Sequence, residues 1–279
     1  MEKTNKLKRA ILTIVLSLVS ISWIFPVLLV VINAFKKKTS ISLEPFALPT
    51  EKSFVGLENY IKGIEKVEFF KYFGYSLFIT VGSVALILLF CSMCGWYMAR
   101  VKNKMTMTLK FLMIFAMVIP FQMVMFTLAK TADTLGLNTP WGIILVYLGF
   151  GAGMAVFMFS NFTEGMPVEI EEAAFIDGCN PLQTYFKVVL PIMKPTIISV
   201  GILEIMWVWN DYLLPYLVLD LKRFKTIPIV IQYLKGGYGT VDMGCIMACI
   251  VLAILPVIII YIICQKYIIE GVVAGAVKG

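Results

Sequence analysis

Long apolar runs restrict the fold of this chain more than any other feature of its sequence. They are separated by shorter polar segments and lie at 11–35, 75–99, 107–129, 141–160, 196–219 and 243–267. Because a helix needs about 20 mostly apolar residues to cross a bilayer, the pattern predicts an all-α membrane protein with six transmembrane helices. A soluble domain is excluded: only 15% of the residues are charged and the mean hydropathy is +0.90, so a large apolar surface would face water.

The net charge of +7 does not indicate a nucleic-acid-binding protein. The Lys and Arg residues lie in the breaks between apolar runs, as expected for the solvated ends of membrane helices, and form no basic patch interleaved with aromatic residues. In the stretch GWYMARVK, Trp96 and Tyr97 suit a membrane interface, and Arg100 and Lys102 lie just beyond it. We expect no nucleic-acid partner.

The residue types present do not favour metal-dependent or histidine-dependent catalysis. The chain has no histidine, which excludes an H-E-x-x-H zinc site. Cys91 and Cys94 have metal-like spacing, but no second pair completes a site. Nearly all of the six cysteines fall inside apolar runs, where they behave as small apolar residues. We therefore expect neither a catalytic residue nor a metal site.

Six spans would place both termini on one side of the membrane. The first run is too long for a signal peptide and no small-residue cleavage site follows it, so we expect it to be a retained helix. The 24 Lys and Arg residues divide equally between the two sides, so the positive-inside rule leaves the orientation open. The rule favours cytoplasmic termini only when the charges of the short N-terminal segment count more than those of the later loops.

The segment EEAAFIDGCNPLQTYFKVVLPIMKP, residues 171–195, is polar although it lies between two apolar runs. Pro167 and the glutamates that follow it suit the first turn of a helix, where the helix dipole favours negative charge. Gly178 stands where a left-handed C-terminal cap is expected. The pattern therefore predicts a short acidic helix that ends at Gly178.

A second helix is predicted directly after this cap. Asn180 is a favoured N-cap, Pro181 suits the first helical position, and Gln183 has the spacing of a capping box. Apolar residues then recur at helical spacing until Leu190-Pro191, which is expected to end the helix. The two helices have an apolar face and an acidic rim. Lipid-binding interfacial helices usually have a basic polar face, so we interpret the segment as a docking surface for a protein partner.

The same residues resemble the coupling loop of binding-protein-dependent ABC importer permeases. The pattern E-A-A-x3-G-x9-(I/V)-x-L-P is present from Glu172 to Pro191, with Val188 where isoleucine is commonest. In that family the loop is cytoplasmic and docks into a cleft of the ATPase subunit. The resemblance therefore implies cytoplasmic termini and the type I ABC importer permease fold. The residues it implies for coupling to the ATPase are Glu171, Glu172, Ala173, Ala174, Asp177, Gly178, Leu190 and Pro191.

Other stretches resemble the carbohydrate branch of this family, and its maltose-type second permease in particular. They are GWYMARVK, TLGLNTPWGIIL, WNDYLLP and the ending EGVVAGAVKG, within a resemblance that covers roughly 75 to 279. The resemblance implies a permease subunit of an ATP-driven, binding-protein-dependent importer of a sugar or oligosaccharide in a bacterial cell membrane. The implied partners are a companion permease subunit, an ATPase homodimer, an extracytoplasmic solute-binding protein, the lipid bilayer and the carbohydrate substrate.

The resemblance also implies a domain organisation. Residues 1–74 form an N-terminal transmembrane helix and an extracytoplasmic loop, 75–267 form a five-helix core with a coupling loop at about 161–195, and 268–279 form a cytoplasmic tail. The tail resembles a family segment that reaches between the two ATPase subunits. The tail residues implied to contact the ATPase are Gly275, Val277, Lys278 and Gly279.

Two acidic residues lie in the fifth apolar run, where a charge is costly unless it faces a cavity or a partner. Asp211 belongs to the shared WND stretch, and we take Trp209, Asn210 and Asp211 as candidates for lining the translocation pathway. A role for Asp211 in helix packing or in a gate is the alternative. Glu204 lies outside the shared pattern, and the sequence assigns it no role.

The sequence contains no G-x-x-x-x-G-K-[ST] phosphate-binding loop, so the chain is not expected to be an enzyme. No cofactor is expected on this chain, and ATP and Mg are implied for the partner ATPase. An importer of a non-sugar solute stays open as an alternative, because none of the shared stretches is known to touch a sugar. A receptor anchor is disfavoured by the coupling-loop pattern. A membrane-embedded enzyme is disfavoured by the absence of histidine and of paired acids.

Overall fold

The computed structural model describes residues 6–234 and 241–276, with side chains for 8–234 and 241–266. The helices in this part of the chain are α1 (Lys6–Ala34), α2 (Lys38–Leu43), α3 (Glu58–Lys66), α4 (Phe69–Leu86), α5 (Ser92–Arg100), α6 (Lys104–Val118), α7 (Phe121–Thr134), α8 (Pro140–Glu164), α9 (Glu169–Ile176), α10 (Pro181–Thr184), α11 (Leu190–Ile192), α12 (Lys194–Asn210), α13 (Leu213–Val218), α14 (Ile227–Tyr233) and α15 (Met243–Ala276). Two π-helical segments, Ile87–Cys91 and Tyr185–Val189, join α4 to α5 and α10 to α11.

Long apolar helices account for most of the predicted spans. Four of them are long and apolar enough to cross a membrane: Lys8–Ala34, Phe69–Arg100, Pro140–Glu164 and Met243–Lys266. Two bent pairs, α6 with α7 and 181–192 with α12, pass the same test when each pair is counted as one span. The described residues thus contain up to six spans, and the prediction of an all-α membrane protein is confirmed.

The third predicted span, 107–129, is not one continuous helix. α6 ends at Val118, Ile119 has an extended backbone with ψ 117°, and α7 begins after Pro120 at an angle of 107° to α6. A proline clashes with a helical conformation of the residue before it, and this explains the break at Ile119. The apolar pattern predicts one span here, and Pro120 divides it into two helices.

The fifth predicted span, 196–219, is also interrupted. α12 ends at Asn210, and the Asp211 carboxylate accepts hydrogen bonds from the backbone N–H groups of Leu213, at 2.9 Å, and Leu214, at 3.3 Å. Aspartate competes with the helix for backbone donors and is favoured at helix starts. Asp211 therefore ends one helix and starts α13, which corrects the prediction of a single helix to Leu219.

Contacts divide the chain into two units. One comprises Met1–Phe70 and Val230–Pro256, and the other comprises Lys71–Ile229 and Val257–Gly279. The predicted division at residues 74 and 267 is not tested by these units and stays a prediction.

In the first unit, the connection after α1 folds onto the start of α15. The Asn59 side-chain amide donates to the carbonyls of Ala34, at 2.8 Å, and Lys36, at 2.9 Å, and the Lys66 ammonium lies 3.4 Å from the Asp242 carboxylate. The connection contains the helix α3, in which Asn59 and Lys66 both lie. The side chains of α1 are exposed from Lys8 to Leu28, so this apolar helix offers its surface to lipid or to another membrane protein.

In the second unit, the main core lies between α5, α8 and the polar segment that follows α8. Gly95 of α5 packs directly on α8: a Cβ atom at this position would lie 2.7 Å from the Phe159 Cβ and 2.9 Å from the Ser160 nitrogen. Small residues allow such close approach of membrane helices. The same core includes Tyr185, Val189 and Met193, all fully buried. It therefore fastens the polar segment to the membrane helices.

Candidate functional site

The first helix of the polar segment, α9, has the predicted C-terminal cap. Gly178 has a φ of +84°, its N–H donates to the Phe175 carbonyl at 3.0 Å, and the Cys179 N–H donates to the Ala174 carbonyl at 3.0 Å. These bonds form a Schellman motif, in which a residue in the left-handed conformation satisfies the last helix carbonyls. The glycine sets the sharp turn between the two helices, as predicted.

The second helix begins with the predicted capping box. The Asn180 side chain accepts from the Gln183 N–H at 2.9 Å, and the Gln183 side chain accepts from the Asn180 N–H at 2.9 Å. The helix ends next to Leu190-Pro191, as predicted: its last residue is Ile192, and α12 begins at Lys194 after a bend of 77°. The π-helical segment Tyr185–Val189 comes directly before α11, and such local changes of pitch accommodate a proline within a helix.

The polar segment is tied to α5 by an ion pair that the sequence pattern did not predict. Glu171 is only 4% exposed. Its carboxylate accepts from Arg100 Nε at 2.9 Å and from Trp96 Nε1 at 2.9 Å, and Arg100 Nη2 lies 2.7 Å from Oε1. Arg100 Nη2 also donates to the Met166 carbonyl at 3.0 Å. Glu171 is therefore an internal anchor for α9, which corrects its prediction as part of the exposed acidic rim.

Trp96 and Arg100 lie four residues apart on one face of α5, and this spacing was the available signal for the ion pair. The sequence predicts that Trp96 lies at a membrane interface and Arg100 just beyond it, where such residues are common. Their neighbours in sequence do not indicate that the shared partner is Glu171, which lies 75 residues after Trp96 and 71 residues after Arg100.

Tyr185 ties the second helix to α5 as well. It is fully buried, its hydroxyl and the Ser92 hydroxyl share a hydrogen bond at 2.6 Å, and its ring centroid lies 5.6 Å from that of Trp96. Both helices of the segment are therefore fixed to the same transmembrane helix. A displacement of the segment would be passed to α5 through these contacts.

The opposite side of the segment is open. The exposed predicted residues are Glu172, Ala173, Asp177, Gly178 and Pro191, whereas Ala174 is buried and Leu190 is half-buried. Exposed apolar side chains accompany them, notably Ile176, Leu182 and Phe186. We call the surface formed by Glu172, Asp177, Ile176, Leu182 and Phe186 the outer face. It combines acidic and apolar groups on a rigid support, as a protein docking surface does.

A recess of about 520 Å³ lies beside this segment. Arg100, Lys102, Glu164, Glu171 and Glu172 bring both signs of charge to its wall. Both residues of the anchoring ion pair, Arg100 and Glu171, are therefore among its lining.

A larger cavity of about 1100 Å³ lies among α6, α7, α8 and α12. Its wall is mostly apolar and includes the bend at Pro120. Glu204 is the one charged residue among the described residues that line it, and Trp207 lies one helical turn further along α12. The sequence assigns Glu204 no role, because its surroundings come from helices distant in sequence.

The three residues predicted to line the pathway lie at the end of α12, and none of them is among the described residues lining this cavity. Trp209 is buried and packs edge-on against Phe73, with ring centroids 5.4 Å apart. Asn210 donates to the Met206 carbonyl at 2.7 Å, and Asp211 accepts from the Tyr147 hydroxyl at 3.0 Å. The Asp211 contacts fit the packing alternative, and the pathway role stays a prediction.

The predicted tail contacts lie largely outside the described residues. Val277, Lys278 and Gly279 are not described, and Gly275 is described only as part of the α15 backbone. Their contact with an ATPase stays a prediction.

Comparison with known protein families supports the pattern found in the polar segment. Residues 91–273 match the family described as binding-protein-dependent transport system inner membrane component. The match includes α5, α8, the polar segment and α12. The family expected from the coupling-loop pattern is thus confirmed.

Individual relatives match almost the whole chain. The "Probable starch degradation products transport system permease protein AmyC" of Thermoanaerobacterium thermosulfurigenes is 36% identical over 97% of each chain. The multiple sugar-binding transport system permease protein MsmG of Streptococcus mutans is 32% identical over 100% of each chain. The arabinooligosaccharides transport system permease protein AraQ of Halalkalibacterium halodurans is 32% identical over 99% of each chain.

A solved structure has the same fold. The crystal structure of a bacterial ABC transporter involved in the import of the acidic polysaccharide alginate aligns with a TM-score of 0.75, covering 96% of this chain and 98% of that one, at 21% identity. The predicted ABC importer permease fold is therefore confirmed. Because the family match covers more than half of the sequence and the relatives align along nearly all of it, this chain belongs to the binding-protein-dependent transport system inner membrane components.

Proposed function

We propose that this chain is one of two different membrane subunits of an ATP-driven importer of a sugar or oligosaccharide. The names of three similar permeases support the substrate class, since they refer to starch degradation products, multiple sugars and arabinooligosaccharides. The observation that carries the proposal is the polar segment. It is fastened to α5 on one side by Glu171 and Tyr185, and it exposes an acidic and apolar outer face on the other.

In the proposed mechanism, the outer face docks into a cleft of an ATPase subunit. ATP and Mg are bound by that partner, which closes as a dimer and moves the docked segment. The contacts from Glu171 to Arg100 and from Tyr185 to Ser92 pass the movement to α5 and so to the core of the second unit. The membrane helices then alternate between states open to either side, as in other transporters built from rocking helical bundles.

ATP binding drives this change only through a difference in its interaction with the two states. An anchored loop couples that difference to the membrane helices, because the docked segment cannot follow the ATPase without displacing α5. A loosely attached loop would follow it and leave the membrane helices in place.

The proposal implies an orientation and further partners. The polar segment and both termini face the cytoplasm of a bacterial cell, and a companion permease completes the pathway. An extracytoplasmic solute-binding protein delivers the carbohydrate to the opposite side. The exposed surface of α1 from Lys8 to Leu28 is available to the companion subunit or to lipid.

The proposal is tested by replacing Gly178 with valine. A β-branched residue is a strong outlier at positive φ, so Gly178→Val is expected to disturb the turn between α9 and α10 and to reduce co-purification of the ATPase at least about tenfold, about 1.4 kcal/mol of docking energy. The measurement is a pull-down of the tagged chain from native membranes in mild detergent. Membrane insertion should be unchanged, because Gly178 has no neighbouring heavy atom within 4 Å of its Cβ position.

Gly136→Val is the matched control. Gly136 also has a positive φ, +68°, and open space around its Cβ position, but it lies in the connection between α7 and α8. It should therefore retain the ATPase. Full ATPase recovery with Gly178→Val, or equal loss with both variants, would contradict docking through the polar segment.

A further inference from the structure

The α12 wall of the 1100 Å³ cavity contains a carboxylate without a hydrogen-bond partner. Glu204 is fully buried, and neither of its oxygens has a partner among the described residues. A Cβ atom at Gly151 of α8 would lie 3.0 Å and 3.2 Å from these two oxygens, so the carboxylate lies against the α8 backbone. Burying such a group unpaired is costly, and an ionisable residue at membrane depth usually serves a ligand, an ion or a partner.

An aromatic side chain lies beside this carboxylate on the same helix face. Trp207 follows Glu204 by three residues, lines the same cavity and is 39% exposed. Its ring is held edge-on by Tyr147, with centroids 5.3 Å apart. Tyr147 is in turn held by Asp211 through the hydrogen bond of 3.0 Å. The indole therefore has a fixed orientation while part of its surface faces the cavity.

Lining side chains such as Leu112, Leu145 and Leu203 are exposed, so the cavity is an open groove, slightly larger than a typical small-molecule site. Such sites occupy about 300–1,000 Å³ and combine an apolar wall with a few polar groups, and this one has about 1100 Å³ and a single charged residue among its described lining. A carboxylate accepts hydrogen bonds from hydroxyl groups, and an indole offers a flat apolar surface to the C–H face of a sugar ring. No basic residue is among the described residues that line the cavity, so a cationic group does not already satisfy Glu204.

From this arrangement we propose that Glu204 and Trp207 form a sugar-binding subsite of the translocation pathway. The ligand is a neutral oligosaccharide: one ring stacks on Trp207, and hydroxyl groups of the same or the next ring donate hydrogen bonds to Glu204. The carboxylate is covered in this conformation, so the wall between α8 and α12 must open for hydroxyls to reach it. The subsite rests on the proposed function, because it takes an imported sugar as its ligand.

The test is a direct binding measurement on the full chain. The chain, with any subunits that co-purify, is extracted without glycoside detergents, whose sugar headgroups would compete, and placed in lipid nanodiscs. Saturation-transfer-difference NMR is recorded with maltotriose and with arabinotriose. We expect transfer to at least one of these probes in the native chain. We also expect Glu204→Gln and Trp207→Phe each to bind that trisaccharide at least about tenfold more weakly, a loss of about 1.4 kcal/mol of binding free energy.

Two further variants separate binding from folding. Gly149→Leu adds a bulky side chain to the α8 wall of the cavity, where a Cβ atom has no neighbour within 4 Å, and should weaken transfer without disturbing packing. Trp141→Phe removes an exposed tryptophan at the start of α8, outside the cavity lining, and should leave transfer unchanged. Elution as a single monodisperse species verifies that each variant is folded.

Three outcomes would overturn the subsite. The first is absence of transfer to both probes in the native chain. The second is transfer in Glu204→Gln, Trp207→Phe and Gly149→Leu that equals transfer in the native chain. The third is loss of a co-purifying permease in Glu204→Gln, which would mean that the carboxylate pairs with a partner subunit. The pull-down with Gly178→Val keeps the two proposals distinguishable. If the ATPase docks as expected but no sugar binds, the importer stands without the subsite; if sugar binds but no ATPase co-purifies, the subsite stands without the importer.

Discussion

Arg100→Met is expected to reduce transport at least about tenfold while the chain stays in the membrane. Removing one partner of a buried ion pair leaves the other uncompensated and costs about 3–5 kcal/mol. Here Glu171 would keep only its bond from Trp96. α9 would then lose its fastening to α5, and an ATPase docked on the outer face would move the loop without moving the membrane helices.

The expected signature is uncoupling, which distinguishes this variant from Gly178→Val. ATP hydrolysis by the purified complex should persist in Arg100→Met, whereas solute uptake into proteoliposomes should fall. Lys104→Met is the matched control, because Lys104 is an exposed cation four residues further along the chain and forms no ion pair among the described residues. Normal uptake in Arg100→Met would refute a mechanical role for the anchor.

A double-mutant cycle tests whether the two residues act as a pair. Glu171→Met alone leaves Arg100 partly unpaired, whereas the double variant removes both charges, and replacing a buried pair by apolar residues is often close to neutral. The double variant should therefore be more stable than the sum of the single effects predicts, by about 1–3 kcal/mol. Additive effects would mean that the two side chains contribute independently.

Gly95→Val is expected to have the largest effect on folding. The Cβ atom would lie 2.7 Å from the Phe159 Cβ and 2.9 Å from the Ser160 nitrogen, closer than side chains approach one another. Because the second neighbour is backbone, α5 and α8 must separate to admit the new side chain. Overpacking costs about 1–3 kcal/mol and occasionally more, and separation would also break the core that holds Tyr185 and Val189.

The stability of this variant is measured by the temperature at which the detergent-solubilised chain loses its monodisperse elution peak. We expect a clear decrease, or failure to accumulate in membranes at all. Gly74→Val is the comparison, since Gly74 lies in α4 with no atom within 4 Å of its Cβ position. An unchanged transition temperature for Gly95→Val would mean that α5 and α8 tolerate a wider spacing than the structure shows.

Local features of the polar segment were predictable because the residues that form them are neighbours in sequence. The Gly178 cap and the box between Asn180 and Gln183 each depend on backbone groups within five residues. The departure of the third span from the prediction also has a local cause. The break before Pro120 follows from a proline that the apolar pattern outweighed, whereas the helix that contains Pro191 ends one residue after it, close to its predicted end.

Apolar runs and local capping signals were thus sufficient to determine the membrane class, the helical content and the two short helices between α8 and α12. Solvation by lipid and backbone hydrogen bonding act on each segment by itself. The tertiary structure alone decided that Glu171 turns inward to Arg100 and that Glu204 meets a cavity beside Trp207. Those environments are built from helices far apart in the sequence, and the direction of a side chain depends on which helix packs against it.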